Sequence, residues 1–207
     1  MELLKKHTNL WTIILFVLFP ISLFGQDEVI KAFRENYVLE KSGNYIKAID
    51  QIKAVYQADS YEMNLRLGWL NYLGGQFNES IGFYSKAISL KPYAIEARFG
   101  MTYPASAQGK WEEVIDLYNK ILAIDPQNTI ANYRLGLIYY GRENYEKADG
   151  FIEKVVNLYP FDYDSVLLLA WNKLKLQKTR ESKVLFNKVL MYSPDDKSAL
   201  EGLKLIK

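Results

Sequence analysis

Residues 129–162 read TIANYRLGLIYYGRENYEKADGFIEKVVNLYPFD, and near-copies of this stretch recur every 34 residues. Its proline, Pro160, has counterparts at Pro92, Pro126 and Pro194, each closing the same helical pattern. In the first half, Tyr133, Gly136 and Tyr140 fall at helical spacing, as do Leu135, Ile138 and Tyr139. Both sides of that helix therefore carry apolar groups. One side must be covered by a partner helix and the other by a neighbouring repeat. Self-similarity at this period marks stacked helix pairs, not a closed globule.

Laid over the chain, the period gives five units: 29–60, 61–94, 95–128, 129–162 and 163–196. The first is two residues short, with Ser60 read as standing where the others have proline. Gly43, Gly75 and Gly109 fall at the turn between the helices, where a positive φ costs glycine least. Asn128, Asp162 and Asp196 end their units directly before a new helix and are good N-caps. Beyond them, residues 197–207 start one more amphipathic helix (Ala199, Leu200, Leu203, Ile206), read as a C-terminal cap over the last unit.

Residues 1–25 pose a different physical problem. Lys5 and Lys6 precede an apolar run from Leu10 to Phe19, and Pro20 interrupts it ahead of Gly25. A positive start, a short apolar stretch and a small exit residue are the marks of a secretory signal peptide. The stretch is shorter than the roughly 20 residues a membrane-crossing helix needs. The expectation is cleavage after Gly25 and an exported protein, periplasmic or extracellular. An uncleaved segment would leave it as a membrane anchor.

Composition removes whole classes of chemistry. The only histidine is His7 and there is no cysteine, so residues 26–207 contain neither. Cysteine nucleophiles, Ser-His-Asp triads, disulfides and His/Cys zinc sites are excluded. No EF-hand spacing and no Gly-rich phosphate loop occurs, so no cofactor and no metal is expected. Removing Glu2, Lys5 and Lys6 from the 26 basic and 24 acidic residues leaves 24 and 23. A nearly balanced chain with interspersed signs lacks the dense basic face of a nucleic-acid binder.

Recurring residues in fixed register give the units a family likeness. Leu67-Gly68 and Leu135-Gly136 recur in the first helices, and Ala48, Ser80, Val114, Ala148 and Ser182 fall where the helices cross. After the turn come Tyr45, Phe77, Trp111 and Tyr145, with Thr179 in the last unit. This resembles the tetratricopeptide repeat, over nearly all of residues 26–196. The resemblance implies an all-α fold, a right-handed α-solenoid of antiparallel helix pairs, and a concave surface lined by the first helices. Lined this way, the partner-binding groove comprises Phe33, Tyr37, Leu65, Trp69, Tyr72, Phe99, Tyr103, Tyr133, Leu137, Tyr140, Leu167 and Trp171, with Leu174 beside them. Arg34, Arg66 and Arg134, one residue from the lining, are the candidate polar rim. The Lys and Asn of the family's carboxylate-clamp groove are missing, because Phe33, Tyr37, Leu65 and Trp69 hold the matching places. Trp111 is expected to be buried after its turn, and Trp69 and Trp171 to be partly exposed toward a ligand.

Departures from the pattern concentrate at the ends and in unit three. Glu35-Asn36 replaces Leu-Gly in unit one, and Lys173 replaces a packing aromatic in unit five. Met101-Thr102 replaces Leu-Gly in unit three, whose first helix also contains Pro104. An interior proline costs a hydrogen bond, here to the Gly100 carbonyl, and about 3 kcal/mol. It reads either as a tolerated kink or as a reshaped wall for a ligand.

Three functions fit. The first is a non-catalytic scaffold of the cell envelope that binds a peptide or helix of a partner in the aromatic groove. The second is a self-assembling protein whose groove takes a helix of another copy. The third is a carbohydrate binder or carboxylate enzyme using Glu62 and Glu96, which also sit in first helical turns where the dipole favours acids.

Overall fold

The structure, a computed structural model, describes residues 19–206. Residues 1–18, which hold the charged start and most of the apolar run of the expected signal peptide, lie outside the described residues. The expected junction after Gly25 falls inside the first described helix. Among the described residues no helix is long and apolar enough to cross a membrane.

The described residues are helical and form two compact units, one ending at Pro92 and one beginning at Tyr93. The first holds α1 (Phe19–Lys41), α2 (Tyr45–Ala54), α3 (Tyr61–Leu73) and α4 (Phe77–Leu90). The second holds α5 (Glu96–Ala107), α6 (Trp111–Ile124), α7 (Thr129–Gly141), α8 (Tyr145–Leu158), α9 (Tyr163–Lys175), α10 (Thr179–Tyr192) and α11 (Lys197–Leu205). Odd and even helices pair, and within each unit the core lies inside the pairs and between neighbouring ones. In the first unit it is built from Ala48, Ile49, Ile52, Met63, Leu67 and Leu70. α11 packs on α10 and α9, and Gly202 lets it approach Phe186 so closely that an added Cβ would lie 2.1 Å from that ring.

The same turn closes all five pairs. The amides of Asn44, Gln76, Lys110, Asn144 and Lys178 donate to the carbonyls of Leu39, Asn71, Ala105, Tyr139 and Lys173 at 2.8–3.0 Å. This six-to-one closure needs a left-handed residue just before the donor. Gly43, Gly75 and Gly109 supply it with φ of 73°, 74° and 71°, but Glu143 and Gln177 are forced into it at 59° and 61°.

Side-chain caps begin α3, α7, α8, α9 and α11. Asn128, Asp162 and Asp196 accept from the backbone N–H groups of Ala131, Ser165 and Ala199. Ser60 accepts from Met63 in the same manner, so it holds the cap position and not the proline position expected from the repeat alignment. The shortening falls in α2, which has 10 residues where α4, α6, α8 and α10 each have 14, partly offset by a longer connection to α3.

Where the two helices of a pair cross, a residue of the first faces one twelve positions later in the second. Three of these crossings are hydrogen-bonded: Asn36 Nδ2 donates to the Ala48 carbonyl at 2.6 Å, Ser80 Oγ to Gly68 at 2.6 Å, and Ser182 Oγ to Ala170 at 2.9 Å. In the third pair both crossing residues are larger, Thr102 and Val114. α5 lies less closely along α6 than α3 along α4, α7 along α8 or α9 along α10. α5 runs through Pro104, which is buried, as one helix.

Buried charge joins pair to pair in two places. Arg66 is only 8% exposed; it pairs with Glu40, donates to Asn36 Oδ1 at 2.5 Å and covers the Tyr37 ring at 4.0 Å. Lys173, 3% exposed, meets Asp149 at 2.8 Å, Glu153 at 2.5 Å and Glu181 at 3.0 Å. Burial works to lower the Lys173 ammonium, but those three hydrogen bonds outweigh it and hold the group above the ordinary lysine range. Burial likewise works to raise Asp149, and hydrogen bonds from Lys173, Lys178 and Asn172 hold it below the usual carboxylate range. The polar residue expected to be a terminal intrusion is therefore a buried cross-link between α8, α9 and α10.

The strained turns give a direct test. Glu143→Gly and Gln177→Gly should each stabilise the protein by about 0.5–1 kcal/mol, the left-handed penalty less the glycine's added unfolded-state entropy. Urea midpoints measure it; unchanged or lowered midpoints for both variants would contradict the strain.

Candidate functional site

The second unit contains a cleft of about 670 Å³ bounded by α5, α6 and α7. Phe99, Thr102, Tyr103 and Ser106 line it from α5 at spacings of three and four, one face of a helix. Trp111, Val114 and Tyr118 contribute from α6. Ile130, Arg134, Leu137, Ile138 and Gly141 contribute from α7, with Arg142 just beyond its end. The floor is firm: Val114 and Tyr118 are buried, and the Phe99 and Tyr118 rings meet edge-on at 6.2 Å. Burial raises the Tyr118 hydroxyl, opposed by a hydrogen bond with Thr102 and the charge of Arg134. The rim is open. Tyr103 is 50% exposed, Trp111 48% and Ile130 57%.

Local sequence explains why the opening lies here. In the second pair Phe77 packs on Tyr72 at 6.1 Å, and in the fourth Tyr145 packs on Tyr140 at 5.6 Å. The third pair has Ser106 at the place of those tyrosines, so Trp111 has no such ring to lie on and turns into the cleft. Its expected burial is thereby overturned. The wide crossing at Thr102 and Val114 adds to the space.

Electrostatically the cleft is one-sided. No carboxylate lines it, and both of its charged residues are arginines. Arg142 is paired with Glu112 at 2.8 Å. Arg134 is exposed and meets no carboxylate at ion-pair distance among the described residues.

A tetratricopeptide repeat family model matches residues 105–166. The chain is 25% identical over 165 residues to TPR repeat-containing protein YpiA of Bacillus subtilis, covering 78% of this chain and 39% of YpiA. It is 30% identical over 122 residues to human Protein O-mannosyl-transferase TMTC1, covering 58% of this chain and 14% of that protein. The chain thus spans well under half the length of these curated relatives. Among solved structures, a tetratricopeptide repeat protein from Parabacteroides merdae superposes with TM-score 0.72 at 22% identity, covering 85% of this chain and 71% of that one. MamA from Desulfovibrio magneticus RS-1 gives TM-score 0.67 at 18% identity, covering 83% and 98%. YrrB, described as a TPR protein with an unusual peptide-binding site, gives 0.67 at 12%, covering 91% and 98%.

The helix pairs have the fold of tetratricopeptide repeats, and residues 105–166 match that family's model. In that register the expected groove residues distribute unevenly. Phe99, Tyr103 and Leu137, with Arg134 from the expected rim, come together in the cleft. Tyr133 is half-buried outside it, while Tyr140, Leu167, Trp171 and Leu174 pack against the core of the fourth and fifth repeats. Trp171 also donates its Nε1 to Ser198 Oγ at 2.9 Å and stands edge-on to Phe186 at 5.2 Å. In the first unit Phe33 packs on the core, Leu65 and Tyr72 are half-buried, and Tyr37 lies exposed under Arg66. Trp69 donates to Glu40 Oε1 at 2.8 Å and lies 5.6 Å from the Tyr72 ring. Trp69 therefore fastens α3 to α1, and Trp171 fastens α9 to α11.

Two expectations change. Arg66 does not belong to a rim, because its guanidinium is buried against Glu40, Asn36 and Tyr37; Arg34 and Arg134 are exposed. Glu62 is unsuited to proton donation. A hydrogen bond from its own backbone and one from Lys91 at 3.0 Å hold its carboxyl below the usual range, the opposite of a general acid's requirement. Ser106, Thr102, Ile130, Ile138, Gly141 and Arg142 also line the cleft, though the repeat pattern does not mark them as site residues. Serine in the column that reads tyrosine at 72 and 140 was the available signal.

The tryptophans should separate by stability. Trp111→Ala should cost about 1 kcal/mol or less, since half of the ring already meets water, against about 3 kcal/mol or more for Trp171→Ala. Chemical denaturation of both variants measures the difference, and a cost of 3 kcal/mol or more for Trp111→Ala would contradict the open cleft.

Proposed function

We propose that the protein is an exported, non-catalytic protein–protein interaction scaffold of the cell envelope, and that it holds a peptide or helix of a partner. The observation that carries the reading is the aromatic cleft of the second unit, where Tyr103 and Trp111 stand open to water on a rigid helical frame. Exposed aromatic clusters are costly to keep unless something covers them, and Trp, Tyr and Arg are the favoured anchors of interfaces. The family supports the same role, since stacked repeats offer a surface and not a reacting constellation. The peptide-binding site attributed to YrrB is consistent with it. Export rests on Lys5-Lys6, the Leu10–Phe19 run and Gly25.

A single in vivo experiment addresses both parts. A photo-crosslinking residue is placed at Tyr103, or at Val184 on the exposed face of α10 as a control. The protein is then recovered from envelope fractions of its native host and weighed intact. The expected result is a mature chain starting at Gln26 and a discrete crosslinked protein from position 103 but not from 184. Retention of residues 1–25 in the cytoplasm would defeat export, and absence of a crosslink at 103 would defeat the scaffold role.

A further inference from the structure

The cleft has a chemistry that narrows what enters it. Its interior is apolar and aromatic, its volume of about 670 Å³ exceeds what one side chain fills, and its only charged lining groups are Arg134 and Arg142. Arg142 is already neutralised by Glu112. Arg134 sits one turn from Ile130 on one side and Ile138 on the other, so its free charge stands beside the apolar wall. A partner that buried apolar groups here without offering an anion would partly desolvate that guanidinium uncompensated. The exposed rim formed by Tyr103, Trp111 and Ile130 extends the contact surface beyond the cleft. That suits a ligand continuing outside it, as a protein segment does, more than a small molecule engulfed by it.

We propose that this cleft is the anchoring pocket for a partner segment carrying two bulky apolar side chains next to an Asp or Glu. The apolar pair enters against Phe99, Val114 and Leu137, and the carboxylate meets Arg134 at the mouth. This rests on the scaffold reading and adds to it the place and the chemistry of the ligand. It differs from a carboxylate clamp, because the energy comes from the filled apolar cleft and the arginine selects what lies beside it. Selectivity of this kind falls with salt, since the ion pair is at the surface.

Gly141 makes the test clean. It lines the cleft, it is helical, and a Cβ built on it meets nothing within 4 Å. Gly141→Leu therefore adds bulk at the cleft from a position whose Cβ meets no neighbour, and replacing a helical glycine should leave the melting temperature equal or higher. The probe is a random peptide library displayed on phage and selected on the full chain, followed by titration of the enriched synthetic peptides. The expected consensus is two large apolar residues within four positions, flanked by Asp or Glu. Gly141→Leu should weaken binding at least about tenfold, and Arg134→Gln about fivefold at low salt with little effect at high salt. Enriched peptides that ignore Gly141→Leu would overturn the inference while leaving the scaffold reading intact. An enriched consensus without an acid would overturn the assigned chemistry. No enrichment at all would overturn both. Saturable binding of sodium dodecanoate that Gly141→Leu abolishes, with no peptide enriched, would reassign the cleft to a small amphiphile.

Discussion

The close approach of the two helices in each repeat is the constraint on which the rest depends. At each crossing a residue of the first helix meets one twelve positions later, and side-chain size there sets the spacing of the pair. Gly68 has no room for a Cβ, which would lie 2.8 Å from the Tyr84 ring, and at Gly136 it would lie 2.5 Å from Ile152. Ser80 and Ser182 go further and bond to the carbonyl they face. With the crossing tight, the following aromatic has a fixed place to pack, and successive pairs can share their cores.

The third repeat relaxes that constraint by composition alone. Thr102 and Val114 are both branched and buried, so the helices cannot close as far. Ser106 removes the ring on which the next aromatic would rest. Neither change unfolds the repeat, because Ala105, Ile115, Tyr118, Ile121 and Leu135 still form a continuous core. The freed space becomes a cleft with a rigid floor. An open cleft thus arises from substitutions at packing positions, larger at the crossing and smaller at 106, with no added loop or inserted segment.

Much of this was legible in the sequence, for identifiable reasons. The 34-residue period, the glycine turns and the acidic or amide caps are local signals, and local geometry settles them. Glu143 and Gln177 in left-handed turns were not legible as such, because propensity argues against them and only the shared closure imposes the conformation. The aromatic columns were visible, but their exposure was not. Whether a ring packs or opens depends on its neighbour across the turn, which is why Trp111, expected to be buried, stands open. Likewise Arg66 and Lys173 looked like surface charges until their partners, 26 residues away at Glu40 and 24 away at Asp149, were brought to them by stacking.

The account therefore stands on one substitution, serine at 106 where the second and fourth repeats have tyrosine. Fluorine NMR of protein labelled with 5-fluorotryptophan tests it, with the Trp111 resonance assigned by Trp111→Phe. In the native protein that resonance should show a large solvent isotope shift, and Ser106→Tyr should largely remove it by giving the indole a ring to pack on. A Trp111 resonance without a solvent shift in the native protein, or one that Ser106→Tyr leaves unchanged, would contradict the account.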